Sequence, residues 1–477
     1  MVLSSKNINW ASSLVILLII GVHFYYFEPA LSPLFDSDGA IHVLMSSRFY
    51  FPEGLYYWGQ NRLGSMVPLL AYPWVSLGIH PLWVLSVIQT FLIYLSFRNF
   101  SFNLPSLGRV TLAFLFFVPL SAWNFLISTG QPYIPQLFLL SWIYVWYTKK
   151  GAPHSTSDWF SFFLVGWVSL WVSDLTLVYF VPIGLYFIFS SYKAMGLKDT
   201  VAKLYIPTGV LAIGVALLFV LKSQLPRAKG YDNVFASGEQ IGDLVSRLVA
   251  FYSGYFTHFS AHPLETIGFW FLGIGVILLG LRRSTSWIAI LKASQWVVIL
   301  FLITSHWVFV NGLRYFALPF FLLTVLWIRQ AYLPVPKSKA KSWSQVLLLL
   351  STLLFSAGNI TKRRTIQRPT VFMPQTHEIQ KVATLYSLPA IGDYWTVYQY
   401  SAYAKNQPIG IADEFWAIRN SWEASQVLQS DTVLIFASDR VVLEAEIEKY
   451  KTQFEAVSSV LHVGETSFRL YRPHSKD

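Results

Sequence analysis

Long apolar runs recur along most of the chain, and each is about as long as a helix that crosses a lipid bilayer. A crossing helix needs roughly 20 predominantly apolar residues. The pattern predicts about eleven crossings, near residues 11–30, 82–97, 110–127, 133–148, 159–173, 176–191, 204–221, 264–281, 287–306, 313–328 and 343–358. The apolar stretch 66–79 is interrupted by Pro68, Pro73 and Gly78, which favours a helix lying in the membrane interface.

Composition and charge support a lipid-embedded chain. Only 12% of the residues are charged and 54% are hydrophobic, whereas a soluble domain has about 25% charged residues. With a cytoplasmic N-terminus, most Lys and Arg residues of the apolar part fall on the inner side. An odd number of crossings then places residues 360–477 outside. The net charge of +11 is spread singly or in pairs between apolar runs, so no nucleic-acid partner is expected.

The pattern changes after residue 359, where the long apolar runs stop. Short strands are predicted at 388–392, 408–411, 432–437 and 467–471, and helices at 394–404 and 441–451. The sequence therefore predicts a mostly α polytopic membrane domain, 1–359, followed by a small extracytoplasmic α/β domain, 360–477. The second domain has no glycine-rich phosphate loop, which favours a cap or an acceptor-recognition module.

Two carboxylates stand in the first predicted external loop, 31–81, directly after the first crossing. Asp36 and Asp38 precede a short helical pattern over 39–50. Carboxylates beside a membrane helix are costly unless they are solvated or paired, so these two are candidates for a functional site. On residue chemistry alone the structural alternative is favoured, because Asp is a preferred residue at a helix N-cap.

Four segments together resemble the GT-C superfamily of membrane glycosyltransferases. They are DGAIHVLM from Asp38, YWGQ from Tyr57, RYFALP from Arg314 and DYWTVY from Asp393. The resemblance is to bacterial protein mannosyltransferases and aminoarabinose transferases, which use sugars on polyprenyl phosphate. It implies a GT-C-like fold of about eleven transmembrane helices in the plasma (inner) membrane. It also implies an inverting transfer of a sugar to an extracytoplasmic lipid, glycan or protein acceptor.

The resemblance implies roles for individual residues. Asp38 is the expected general base, with Asp36 as the second candidate. The expected substrate-binding residues are Arg314, Tyr315, Arg62, Tyr57, Trp58, Gln60 and Asp174. Arg314 is the first candidate for the phosphate, because guanidinium binds phosphate oxygens in a bidentate manner.

Each of these roles has a structural alternative. Arg314 is otherwise a basic residue that extends towards the headgroups, and Asp174 otherwise caps a turn. The aromatic residues Tyr57 and Trp58, with Tyr56, either stack on a sugar or belong to the aromatic belt at the membrane surface.

Two positions depart from the family pattern. Gly39 and Gln131 stand where the family often has acidic residues, so no cofactor is assigned and a divalent cation stays an open alternative. His258 and His262 have the spacing of two metal ligands on a helix, but no third ligand is adjacent and interfacial structure is favoured.

Three other functions are compatible with a polytopic chain. A flippase for a lipid-linked sugar would carry polar residues deep within several spans and often an internal repeat, and the acids here cluster at the outer ends. A non-catalytic scaffold would leave the acidic and aromatic first loop unexplained. A polymerase or ligase of lipid-linked glycans would use related chemistry with another acceptor.

Overall fold

A computed structural model describes residues 5–31, 37–225, 235–246, 262–280, 286–305, 313–333, 339–365, 376–404, 406–412, 426–427, 429–437, 448, 454–463 and 466–473. Asp36, His258 and most of the predicted helix 441–451 lie outside the described residues.

An apolar helix overlaps every predicted crossing. In chain order the principal helices are α1 (Ser5–Phe27), α2 (Ser37–Ser47), α3 (Met66–Ser76), α4 (Pro81–Phe100), α5 (Ser106–Phe117), α6 (Tyr133–Lys150), α7 (Thr156–Val172), α8 (Thr176–Met195), α9 (Leu197–Ser223), α10 (Pro263–Gly280), α11 (Ser286–Thr304), α12 (Ala317–Tyr332), α13 (Lys339–Thr365), α14 (Thr376–Leu385) and α15 (Tyr394–Tyr403). Among the described residues, seven segments are long and apolar enough to cross a membrane: Trp10–Phe27, Pro81–Phe100, Thr176–Met195, Leu197–Ser223, Trp287–Thr304, Arg314–Tyr332 and Lys339–Arg364. The remaining predicted crossings are helices that are shorter or less apolar. The protein is therefore a polytopic, mostly α-helical membrane protein, as the sequence predicts.

The predicted crossing at 110–127 is wrong in one respect, because its helix stops before Pro119. Proline lacks an N–H, and the residue before it avoids the helical conformation. Side chains satisfy the carbonyl oxygens at this break. His23 donates to Phe117 at 2.8 Å, Ser356 to Val118 at 2.8 Å and Asn359 to Pro119 at 2.7 Å. Backbone groups that leave a helix inside a membrane protein need such partners. The broken end of α5 is thereby fixed to α1 and α13.

The C-terminal domain is a small α/β structure, as predicted. Its strands are β1 (Ala390–Gly392), β2 (Gly410–Ala412), β3 (Val433–Ala437), β4 (Phe454–Ala456), β5 (Leu461–Val463) and β6 (Thr466–Pro473). The sheet order is β2-β1-β3-β6-β4, and β5 also pairs with β6. β1 is parallel to β2 and β3, whereas β6 runs antiparallel to its neighbours. The helix α14 and the strands β4 and β5 were not predicted.

The first loop, 31–81, lies where several other segments converge. The N–H of Gly64 bonds to the carbonyl of Val172 at the end of α7, over 3.1 Å. Helix α2 of this loop packs against α3 and α4, and α15 of the C-terminal domain packs on α2. We call the end of the helical bundle formed by this loop, the loop before α6 and α15 the site face. The predicted topology assigns these same segments to one side of the membrane.

Candidate active site

The carboxylate of Asp38 is the meeting point of three parts of the chain. It lies in the first turn of α2 and is half-buried. Its Oδ1 accepts hydrogen bonds from the hydroxyls of Tyr57, at 2.9 Å, and Tyr394, at 2.7 Å. Its Oδ2 accepts one from the side-chain amide of Gln131, at 3.1 Å. These bonds join α2 to other elements, so a helix-capping role does not account for them.

Gly130 lets the loop between α5 and α6 pack against the start of α2. Its φ of +91° is a left-handed conformation that side chains rarely adopt, and a Cβ there would lie 2.4 Å from the carbonyl carbon of Asp38. Gln89 of α4 holds the same loop, since it donates to the carbonyl of Ile127 at 2.6 Å and accepts from the hydroxyl of Thr129 at 3.0 Å. The side-chain amide of Gln131 is thereby aimed at the carboxylate of Asp38.

Arg314 lies in the 3₁₀ turn before α12 and is within electrostatic range of Asp38 and Tyr133. Its guanidinium lies 5.6 Å from the ring centroid of Tyr315 and also forms a hydrogen bond with that residue. Its Nε is buried and has no hydrogen-bond partner among the described residues. A buried donor without a partner is costly, and an anion bound at Arg314 would satisfy it.

His42 follows Asp38 by one helical turn and is 6% exposed. Burial lowers the pKa of its imidazole from 6.5 to about 4, even though the charge of Asp38 acts in the opposite direction. The His42 ring lies 5.5 Å from the ring of Tyr57. A neutral imidazole therefore packs beside the phenol that orients the carboxylate.

Asp174 belongs to a neighbouring cluster on the site face. It forms an ion pair with Lys222, and its side chain is 38% exposed. The carbonyl of Lys222 accepts a hydrogen bond from Asn61 at 3.3 Å, so this cluster borders the first loop next to Arg62. Burial, with a smaller contribution from Asp174, raises the pKa of Tyr56 to about 12. The described contacts of Asp174 are to this cluster.

The aromatic segment of the first loop is buried. Tyr56 and Trp58 are 0% and 1% exposed, and the Trp58 ring stacks on Tyr50 at 6.2 Å. The ring of Trp58 is enclosed by protein in this structure, and its predicted role in substrate binding stays a prediction. The backbone of Gln60 closes a turn onto Tyr57 at 3.1 Å, and the Gln60 side chain is half-buried.

The described residues around Asp38 do not suit a divalent cation. Hard cations take several oxygen ligands, and within the described ranges no group of three His, Cys, Asp or Glu side chains could hold a metal ion. Gln131 presents an N–H to the carboxylate, where a second acid would present an oxygen. His262 has a structural contact, because its Nδ1 accepts a hydrogen bond from the N–H of Leu264 at 3.3 Å.

Sequence reasoning missed several residues of this site. Gln131 was noted only as a lost acid, and Tyr394 only as part of a resemblance. A glycine two residues before a proline, in the segment STGQP, signals a special backbone conformation at Gly130. A glutamine within an apolar span, as at Gln89, signals a buried polar contact.

A bundle of apolar helices, a short helix with Asp38 in its first loop and a small α/β domain that packs on this helix make up the fold of the chain. The solved structure of ArnT from Cupriavidus metallidurans, bound to undecaprenyl phosphate, has this fold. It matches 96% of this chain and 97% of its own chain with a TM-score of 0.57 and 8% sequence identity. No family model and no curated protein matches the sequence. The predicted GT-C-like fold is confirmed over nearly the whole chain.

Proposed function

We propose that the protein is an inverting glycosyltransferase of the inner membrane that moves a sugar from a polyprenyl-phosphate carrier to an acceptor outside the cytoplasm. The observation that carries the proposal is the Asp38 carboxylate on the site face, which three hydrogen-bond donors hold within electrostatic range of Arg314, whose buried Nε has no partner among the described residues. A base and a cation placed together suit the displacement of a phosphate. The shared fold with ArnT, whose structure holds undecaprenyl phosphate, supports the same class of carrier.

The reaction is a single displacement at the anomeric carbon of the sugar. The acceptor oxygen attacks from the face opposite the phosphate, and its proton passes to Asp38 as the new carbon–oxygen bond forms. The bond between the anomeric carbon and the phosphate oxygen breaks, and the polyprenyl phosphate leaves with the electron pair. Arg314 opposes the negative charge that grows on the leaving phosphate.

Gln131 allows this step to proceed without a bridging cation. Two carboxylates placed together repel each other unless a proton or a cation lies between them. A neutral amide that donates to Oδ2 of Asp38 orients the carboxylate and adds no charge. We therefore propose that a divalent cation is not required, and treatment with a chelator should leave turnover unchanged.

The test is a comparison of Asp38→Asn with Asp199→Asn. Both aspartates stand in the first turn of a helix, so both variants remove the same favourable interaction with the helix N-terminus. Purified protein in liposomes is given a panel of undecaprenyl-phosphate monosaccharides with a membrane extract as the source of acceptor. Release of undecaprenyl phosphate is measured by mass spectrometry.

Asp38→Asn should lower this release by about a hundredfold or more, the usual contribution of a general base. Asp199→Asn should behave like the wild type. Equal turnover by both variants would remove Asp38 as the base. Movement of the donor across the bilayer without cleavage of the sugar–phosphate bond would instead support a flippase.

A further inference from the structure

Tyr394 differs in origin from the other two donors to Asp38. It is the first residue of α15 and follows β1 of the C-terminal domain. The N–H groups of Thr396 and Val397 bond to the carbonyl of Asp393, at 3.1 and 3.0 Å, and close the first turn of this helix. The Tyr394 side chain is 5% exposed. The C-terminal domain therefore places a buried phenol on the candidate base.

The other two donors are held by the membrane part of the chain. The backbone N–H of Tyr57 bonds to the carbonyl of Leu63 at 2.7 Å, and Gln131 follows Gly130, which is in close contact with the start of α2. Neither of these two backbone contacts involves the C-terminal domain. Of the three donors, Tyr394 is the one that the C-terminal domain supplies.

The separate origin of Tyr394 is important because each carboxylate oxygen can accept only a few hydrogen bonds. A carboxylate oxygen has about two lone-pair positions, and on Oδ1 of Asp38 both are taken by the hydroxyls of Tyr57 and Tyr394. A general base must hold the proton that it will accept within hydrogen-bond distance. An acceptor that approaches Oδ1 therefore has to take the place of one phenol.

We propose that Tyr394 marks the acceptor position: its phenol occupies the place on Oδ1 of Asp38 where the hydroxyl of an alcohol acceptor is bound. The acceptor enters between α2 and α15, replaces the phenol and transfers its proton to Asp38 as its oxygen bonds to the anomeric carbon. The polyprenyl phosphate leaves with the electrons of the broken bond. This inference rests on the proposed glycosyltransferase function and adds the acceptor class, an alcohol, and the side from which it arrives.

The proposal predicts opposite effects for two matched variants, Tyr394→Phe and Tyr57→Phe. Each variant removes one hydroxyl from the same oxygen and keeps its ring. In Tyr394→Phe a small nucleophile can reach Asp38 without displacing a phenol. In Tyr57→Phe the acceptor position is still filled by Tyr394, and the carboxylate has lost one of its orienting contacts.

The probe nucleophiles are water and methanol, with the donor from the panel that the wild type cleaves fastest. Formation of the free sugar and of its methyl glycoside is followed by mass spectrometry, without any other acceptor. Tyr394→Phe should raise both rates about tenfold, the effect of removing one hydrogen bond to a charged group, and should lower the apparent KM for methanol. Tyr57→Phe should lower both rates. Elution of each variant at the wild-type position in gel filtration shows that it is folded.

Equal rates for the two variants, or a lower rate for Tyr394→Phe than for the wild type, would overturn the inference, because Tyr394 would then only orient the carboxylate. That result leaves the proposed function intact, since the wild type still cleaves the donor. Failure of the wild type to cleave any donor in the panel, even with membrane extract, would overturn the proposed function and this inference together.

Discussion

The residues that donate hydrogen bonds to Asp38 are distant from it in the sequence. The sequence identifies it as a carboxylate beside a membrane helix, and the resemblance assigns it the role of a base. The two phenols and the amide that bind it come from positions 57, 394 and 131. Local pattern cannot predict such contacts, because each depends on how distant elements pack. In the sequence, Gln131 stands where the family often has an acidic residue. In the structure, its side-chain amide donates a hydrogen bond that orients the Asp38 carboxylate.

His42 makes the stability of the site dependent on pH. The pKa of its imidazole is about 4 in the folded protein, below its ordinary 6.5. Between these two values the unfolded chain binds a proton that the folded chain does not, so stability is lost as the pH falls from 6.5 towards 4. A shift of this size corresponds to about 3 kcal/mol.

The replacement His42→Phe should therefore reduce the loss of stability on acidification. The measurement is the midpoint of thermal unfolding in detergent between pH 7 and pH 4.5, for the wild type and the variant. The wild-type midpoint should fall more steeply than that of His42→Phe. Identical slopes would show that the buried imidazole is not the group that titrates.

The elements of the membrane part are mostly predictable, and their interruptions are less so. Hydropathy locates each helix because lipid demands a continuous apolar surface. The end of α5 before Pro119 was not predicted, since a run of apolar residues continues beyond the proline. The break matters for the site, because the segment between the end of α5 and the start of α6 includes the loop that carries Gly130 and Gln131.

Gly130 offers a test of this loop at the level of the element. Gly130→Ala introduces a Cβ 2.4 Å from the backbone of Asp38 and also strains a residue with φ +91°. The loop must move away from α2, so the amide of Gln131 should lose its contact with the carboxylate. We expect release of undecaprenyl phosphate to fall at least about tenfold, the effect of losing one hydrogen bond to a charged group.

Gly78→Ala is the matched control for this variant. Gly78 has a φ of +90°, and nothing lies within 4 Å of the position that its Cβ would occupy. The two variants therefore share the backbone strain, and they differ in the collision with α2. A similar loss of turnover in both would show that strain alone, rather than the position of Gln131, explains the effect.

At the scale of the whole molecule, the class of fold follows from the sequence and the assembly of the site does not. The scarcity of charge and the apolar runs predict a polytopic protein, and the change of pattern after residue 359 predicts the α/β domain. Arg314 reaches the site from the turn before α12, and Tyr394 reaches it from the C-terminal domain. The resemblance pointed to both segments, whereas their contact with α2 depends on packing across the whole bundle.

The most direct test of the account is a cryo-EM structure of the protein in a lipid nanodisc with undecaprenyl phosphate bound. The account predicts the phosphate on the site face, within hydrogen-bond distance of the Arg314 guanidinium and beside the carboxylate of Asp38. A phosphate bound at the pair formed by Asp174 and Lys222, or at the opposite end of the helical bundle, would contradict it.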